Sequence, residues 1–296
     1  MATMYTAAFD QTQKRERTQL ILKRVSNLSP IPKILSEVLD LLKDINTSPQ
    51  QLARAISRDQ SIVVKILTIA NSPFYGLVKR VASIEYAIMI LGFNEIRNIV
   101  TALSLMEAMK NKSDQYMDQK EFWTHAYITG ALAKKLADDM GIRQSGDCFV
   151  GGLLHDLGIS VIHRYMHSDF ASICESVKMG SEYKDAENLF LGMDHQAIGY
   201  SLLKNWNLPD NFCEMVKYHH NPNMAYNTKI ISSVIHLADY MTQQLKLGSF
   251  SWDAGMTLNE ETAVSLQLLD PESIEKFIEQ YREQVKQQLE TIRHLS

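Results

Sequence analysis

The residues best suited to chemistry lie in CFVGGLLHDLGIS, residues 148–160, where His155 and Asp156 interrupt an apolar run. An imidazole and a carboxylate are costly to bury unless a counter-charge, hydrogen bonds or a metal ion compensates them. Side chains of adjacent helical residues diverge by about 100°, so this pair can meet at one ion only across the core of a helix bundle, with other ligands arriving from elsewhere. The second half of the chain offers Glu121 with His125, then His195, His219 with His220, and Asp239. Glu121 and His125 are four residues apart and share a helix face. His219 and His220 fall at a helix end, where an irregular backbone can re-aim neighbouring side chains, and Asp239 sits in the apolar helix that contains HLADY. Nitrogen and carboxylate donors in this mixture suit Fe, Mn, Zn or Ni better than Ca or Mg alone.

Each residue also has a plainer reading. A buried histidine is more often hydrogen-bonded core than ligand. Glu121 fits as a first-turn acid favoured by the helix dipole, and His219 with His220 fits as a solvated helix end. His163, His167 and His294 follow no ligand spacing and read as structural or surface residues. His236, one turn before Asp239, reads as a support for a ligand.

These side chains must be positioned by helices. The 296 residues are 45% hydrophobic and 22% charged, the balance of a globular protein with ample length for a buried core. No uninterrupted apolar run approaches the roughly 20 residues of a membrane span, and the polar opening MATMYTAAFDQTQKRER has no secretory h-region. A cytoplasmic protein without a membrane partner is expected. Cys148, Cys174 and Cys213 are widely spaced and in no CxxC pattern, which argues against both a disulfide framework and a zinc knuckle. Residues 1–110 carry 14 Lys and Arg against 9 Asp and Glu, and the remainder 16 against 25, so the halves are +5 and −9. Neither is basic enough to make nucleic acid a strong candidate, and the change of sign suggests two subdomains.

Four segments are expected: a polar arm (1–20), an N-terminal helical half (21–112), a metal-binding helical half (113–245) and a C-terminal helical tail (246–296). Within them SPIP at 29–32 starts a helix whose stripe is Ile34, Leu35, Val38, Leu41 and Leu42. Thr47-Ser48-Pro49 opens two short helices, 50–56 and 60–70, stopped by Asn71-Ser72-Pro73, and Gly92 breaks the helical stretch 84–110. After the polar linker NKSDQYMDQK comes a long helix ended by Gly141. Asp194 caps a helix from His195, Leu208-Pro209-Asp210 opens one that runs to His219-His220, and 228–245 and 271 to about 294 are helical. Period-two alternation is scarce, so the fold is expected to be all-α.

The ordered set EFWTH, GGLLHDLG, DHQAIGYSLL, YHH and HLADY resembles the HD superfamily of metal-dependent phosphohydrolases, especially its HD-GYP branch. Upstream, LSPIPKI, AISRDQSIVVKILTIANSPFYG and SIEYAIMILGFNEIRNIV resemble the HDOD family, helical HD-related regulatory domains of bacterial signalling proteins; together the blocks cover about 25–245. The resemblance implies an HDOD-type fold, an N-terminal helical subdomain followed by an HD-like bundle. Carried over residue by residue, it implies metal ligands at Glu121, His125, His155, Asp156, His195, His219, His220 and Asp239, with two or more ions of Fe, Mn, Ni or Zn and Asp156 bridging them. HDOD proteins generally hold a degenerate form of this set and are regarded as non-catalytic, whereas this chain retains all of it. Two departures count against turnover: the lysine that follows HDxG in HD-GYP proteins is Ile159 here, and Asn221-Pro222-Asn223 follows His220 with no GYP segment.

The leading expectation is a regulatory module with an HD-type metal centre, acting through signalling proteins or by sensing a nucleotide. The alternative is a phosphohydrolase acting on a nucleotide or cyclic dinucleotide, with Asp156 in the catalytic role. DNA binding is a third class, because SPQQLARAISRDQSIVVKIL has helix-turn-helix flavour with Arg54, Arg58 and Lys65 available for phosphates. Against it, Ile62, Val63, Val64, Ile66 and Leu67 dominate the second helix and call for a core.

Overall fold

A computed structural model describes residues 2–28, 32–44, 46–246, 250, 252, 255–265, 268 and 270–292. The described residues form fifteen α-helices and two 3-10 turns, and no strand is found among them. The first half holds α1 (Ala2–Leu28), α2 (Lys33–Lys43), α3 (Pro49–Ile56), α4 (Gln60–Ala70) and α5 (Ile84–Met109). The second holds α6 (Gln119–Asp139), α7 (Ser145–Leu154), α8 (Leu157–Tyr165), α9 (His167–Lys178), α10 (Tyr183–Leu191), α11 (His195–Asn205), α12 (Asp210–Tyr218) and α13 (Lys229–Gln244). The tail adds α14 (Glu260–Ser265) and α15 (Pro271–Ile292). Ser29, Pro30, Ile31 and His294 lie outside the described residues.

Local signals account for most boundaries. Ser48 and Gln51 form a reciprocal cap at the start of α3, with Pro49 in the first turn where its missing N–H costs nothing. Asp59 caps α4, Asp118 caps α6 and Asp194 caps α11. Gly92 at φ 84° breaks α5, and Gly141 at φ 69° follows the end of α6; both conformations disfavour a residue with a Cβ. The arm differs from expectation, because it is helix from Ala2 onward. It packs on α10 and α11. The Thr18 hydroxyl donates 2.8 Å to the Leu191 carbonyl, and at Gly192 (φ 67°) a Cβ would lie 2.7 Å from the Arg15 nitrogen.

One hydrophobic core runs through both halves. Leu52, Ile56, Ile66, Ile69 and Ile96 fill the first, and Phe122, Leu132, Phe149, Leu154 and Val234 the second. Among the described residues α5 alone has the length and hydropathy of a bilayer span, and it is broken at Gly92 and packed against α2, α3, α4 and α7. Arg58 pairs with Glu37, and Lys65 with Glu107 at 2.5 Å, while Ile62, Ile66 and Ile69 of α4 are buried in the core.

The second half is organised by α6 crossing α7, with α13 packed against both. Gly130 and Gly152 make that crossing close: a Cβ on Gly152 would sit 2.6 Å from the Gly130 Cα. Gly158 does the same for α8 and α11, since its Cβ would meet the His195 carbonyl oxygen at 1.9 Å.

Candidate metal centre

His155 and Asp156 do not lie within one helix, as the spacing argument supposed. They occupy the break between α7 and α8, where Asp156 has φ −93° and ψ 14°. That break aims the imidazole and the carboxylate at the same point. Both are almost wholly buried, at 0% and 1% exposure.

The two Asp156 oxygens divide the surrounding ligands. Oδ2 lies 3.1 Å from His155 Nε2 and 3.8 Å from His125 Nε2, and Asp239 Oδ1 closes the same group at 3.2 Å from His125 Nε2 and 3.7 Å from His155 Nε2. Oδ1 lies 3.7 Å from both His195 Nε2 and His219 Nε2. His195 Nε2 is in turn 3.3 Å from His219 Nε2 and 3.1 Å from His220 Nε2. Two clusters of converging donors result, one with His125 and His155, the other with His195, His219 and His220, and Asp156 stands between them.

The donors present fit metal ions on a physical criterion. His125 Nε2, His155 Nε2 and both oxygens of Asp156 and Asp239 are buried without a hydrogen-bond partner. An orphaned buried polar atom forfeits about 1–3 kcal/mol, more when charged, so six at one spot call for a compensating cation. The outward ring nitrogens are already committed. His155 Nδ1 donates 2.7 Å to the Gly152 carbonyl and His219 Nδ1 donates 2.8 Å to that of Val216, which leaves each Nε2 lone pair facing inward. Electrostatics agree. Burial depresses the basicity of His219, helped by the neighbouring His220, His155 and His195 rings, and so keeps a neutral donor. Burial also opposes the charged form of His155, but the Asp156 and Asp239 carboxylates outweigh it and raise the pKa to about 9. Asp239 is held well below the ordinary carboxylate range: burial works against ionisation, and the His155 and His125 rings overcome it.

Of the eight expected ligands, His125, His155, Asp156, His195, His219, His220 and Asp239 gather here. Glu121 lies one turn before His125 and lines a small cleft of about 100 Å³ with Asp118, Tyr183, Phe250 and Trp252. His236 supports rather than ligates. Its Nδ1 donates 2.8 Å to the His219 carbonyl, and its Nε2 accepts 3.0 Å from the Asn259 nitrogen, so neither nitrogen is left for a metal.

Residue-level reading missed a brace. Glu187 on α10, wholly buried, accepts from His195 Nδ1 at 3.0 Å and from the His195 backbone N–H at 2.9 Å. Trp252 Nε1 donates 2.8 Å to the same carboxylate, with the indole stacked on Tyr183 and Phe170 at 4.1 and 4.9 Å. In YKDAENLF nothing sets Glu187 apart from its solvated acidic neighbours. A second histidine pair was read only as structural or surface residues: His163 and His167 donate through Nε2 to one oxygen of Asp114, at 2.9 and 2.6 Å. This cluster is satisfied by its own hydrogen bonds, because His163 Nδ1 accepts from Asn111 and Gln119.

The centre is not sealed. His195, His220 and His236 form part of the wall of a cleft of about 530 Å³ that Tyr183, Lys184 and Trp252 also line. Ile159 is fully buried in the core and contributes nothing to this cleft.

The model of the HDOD domain family matches residues 28–222. An uncharacterised protein of Treponema pallidum (strain Nichols) is 25% identical over 232 residues, which are 77% of this chain and 45% of that protein. The chain thus spans less than half the length of this curated relative. An HDOD domain protein of unknown function from Geobacter sulfurreducens superposes with a TM-score of 0.72 at 22% identity, covering 93% of this chain and 98% of the other. A candidate phosphohydrolase from Shewanella amazonensis SB2B gives 0.70 at 19% identity, with coverage of 92% and 97%. At these identities the likeness is one of fold.

Proposed function

This chain belongs to the HDOD family, and on that premise we propose that it is a regulatory module of bacterial signalling whose HD-type centre holds transition-metal ions. The observation that carries the reading is the meeting of unpartnered His125, His155, Asp156 and Asp239 atoms with the inward-facing nitrogens of His195 and His219. His125, His155, Asp156 Oδ2 and Asp239 would hold one ion, and Asp156 Oδ1 with His195, His219 and His220 a second. Partners in signalling, or a nucleotide, would read the state of this centre. The test is elemental analysis of the purified protein beside His155→Ala and Asp156→Ala. The wild type is expected to carry tightly bound metal and both variants to lose most of it. Equal content in all three overturns the reading.

A phosphohydrolase is the second reading, favoured by the open cleft beside His195 and His220. Bound metal would supply Lewis acidity toward a phosphoryl oxygen and lower the pKa of water. The chain's own contribution would be orientation: the half-buried Tyr183, backed by Trp252, offers a flat surface for a base, and Lys184 is a cation on the cleft wall that could meet a phosphate in place of the lysine missing at Ile159. Anaerobic incubation with nucleotides and cyclic dinucleotides under Mn(II) or Fe(II) decides between the two. Turnover abolished by Asp156→Ala establishes the enzyme; no such turnover leaves the regulatory module alone.

A further inference from the structure

A second cavity, of about 300 Å³, lies away from the metal ligands, at the seam where α4 and α5 of the first half meet the linker and α6 of the second. Its body is apolar, walled by Leu103, Met106, Trp123 and Tyr127. Its volume falls at the lower end of small-molecule sites.

The polar part of the wall has one sign. Lys65, Lys110 and Lys120 line the cavity and no Asp or Glu does. Lys65 is itself more than nine-tenths buried, and a lysine is rarely so deep without an anion. The nearest is Glu107, whose single Oε2 lies 2.5 Å from Lys65 Nζ and 3.3 Å from Lys110 Nζ, so one carboxylate serves two ammonium groups and Lys120 adds a third charge. Two more wall residues carry unmet hydrogen-bonding capacity. Trp123 Nε1 and Gln119 Oε1 are buried without a partner, a donor and an acceptor belonging to side chains 8% and 6% exposed.

We propose that this seam cavity binds a small organic anion with a flat unsaturated body, the body resting among Leu103, Met106, Trp123 and Tyr127 and the anionic group held by Lys110 and Lys120 with Lys65 behind. Such a ligand would bridge the two halves of the fold. Its wall on α6 includes Gln119, Trp123 and Thr124, the last two directly preceding His125, and its wall on the linker includes Asn111, which with Gln119 holds His163. The site stands independently of whether metal is bound or hydrolysis occurs.

The test uses anilinonaphthalene sulfonate, a flat aromatic anion whose emission reports apolar surroundings, with N-phenylnaphthylamine as its uncharged counterpart. The full chain is expected to bind one saturable equivalent of the sulfonate, with and without a chelator, and the neutral compound about tenfold more weakly. Lys110→Glu with Lys120→Glu, both exposed positions, should weaken the sulfonate about tenfold and erase the preference for charge. Met106→Trp, which fills the cavity from its half-buried wall, should abolish binding while circular dichroism and metal content match the wild type. Absence of saturable binding, equal affinity for the neutral compound, or binding that survives Met106→Trp in a folded protein overturns the proposal.

Discussion

At the scale of single residues, the arrangement of the converging donors depends on groups outside their set. Glu187 fixes the tautomer and tilt of His195 through two short contacts and is itself held by Trp252. Replacing it with glutamine keeps the volume but removes the charge that favours Nδ1–H. Glu187→Gln should lower affinity at the His195, His219 and His220 cluster by about 10- to 100-fold and leave the His125 and His155 cluster nearly unchanged. Competition with a chromophoric chelator would show one affinity falling while the other stays. Legibility in the sequence follows the same division. His155 and Asp156 stand out because a charged pair within an apolar run has to be explained, and His219-His220 because a doublet at a helix end is unusual. Glu187 and Asp114 do not, since acids in a mixed helix or a polar linker have nothing to distinguish them until the chain folds over them.

At the scale of elements, punctuation was readable and contact was not. Asp194, Ser48, Pro49, Gly92 and Gly141 all mark boundaries through rules that act within a few residues. What brings the donors together is instead the closeness of two helix pairs, and the glycines responsible read in sequence only as part of a motif. Gly158 shows the cost. A methyl group there would press on the His195 carbonyl backbone, which has no rotamer to yield with. Gly158→Ala should therefore push α8 away from α11, destabilise the fold by about 1–3 kcal/mol and separate Asp156 from His195. Urea unfolding together with metal stoichiometry would check both parts; a variant of wild-type stability with full metal content would contradict the account. The N-terminal arm was misread for the complementary reason: its polar composition suits an arm, yet its contact with Gly192 and Leu191 makes it part of the second half.

At the scale of the whole molecule, the candidate centre ties five distant stretches of chain to one point, so a metal bound there would be thermodynamically linked to the fold. An ion that binds only the folded protein adds about 2.7 kcal/mol of stability when free metal stands at 100 times the dissociation constant. The thermal midpoint should then rise with free metal and fall under chelation in the wild type, and be insensitive to both in Asp156→Ala; scanning calorimetry across a metal series measures this directly. The tail takes part as well. Tyr281 donates to Asp139 and Gln288 to Tyr127, so α15 is pinned along α6, while Trp252 reaches the brace behind His195. The recognisable family segment ends at residue 222, whereas Asp239 and Trp252 come after it. A fragment cut at that border would keep every residue within the family match and still lack the Asp239 oxygens and the Trp252 prop behind His195. The segment matched by the family model and the set of converging side chains therefore have different edges, and a fragment that failed to bind metal would say nothing about the intact chain.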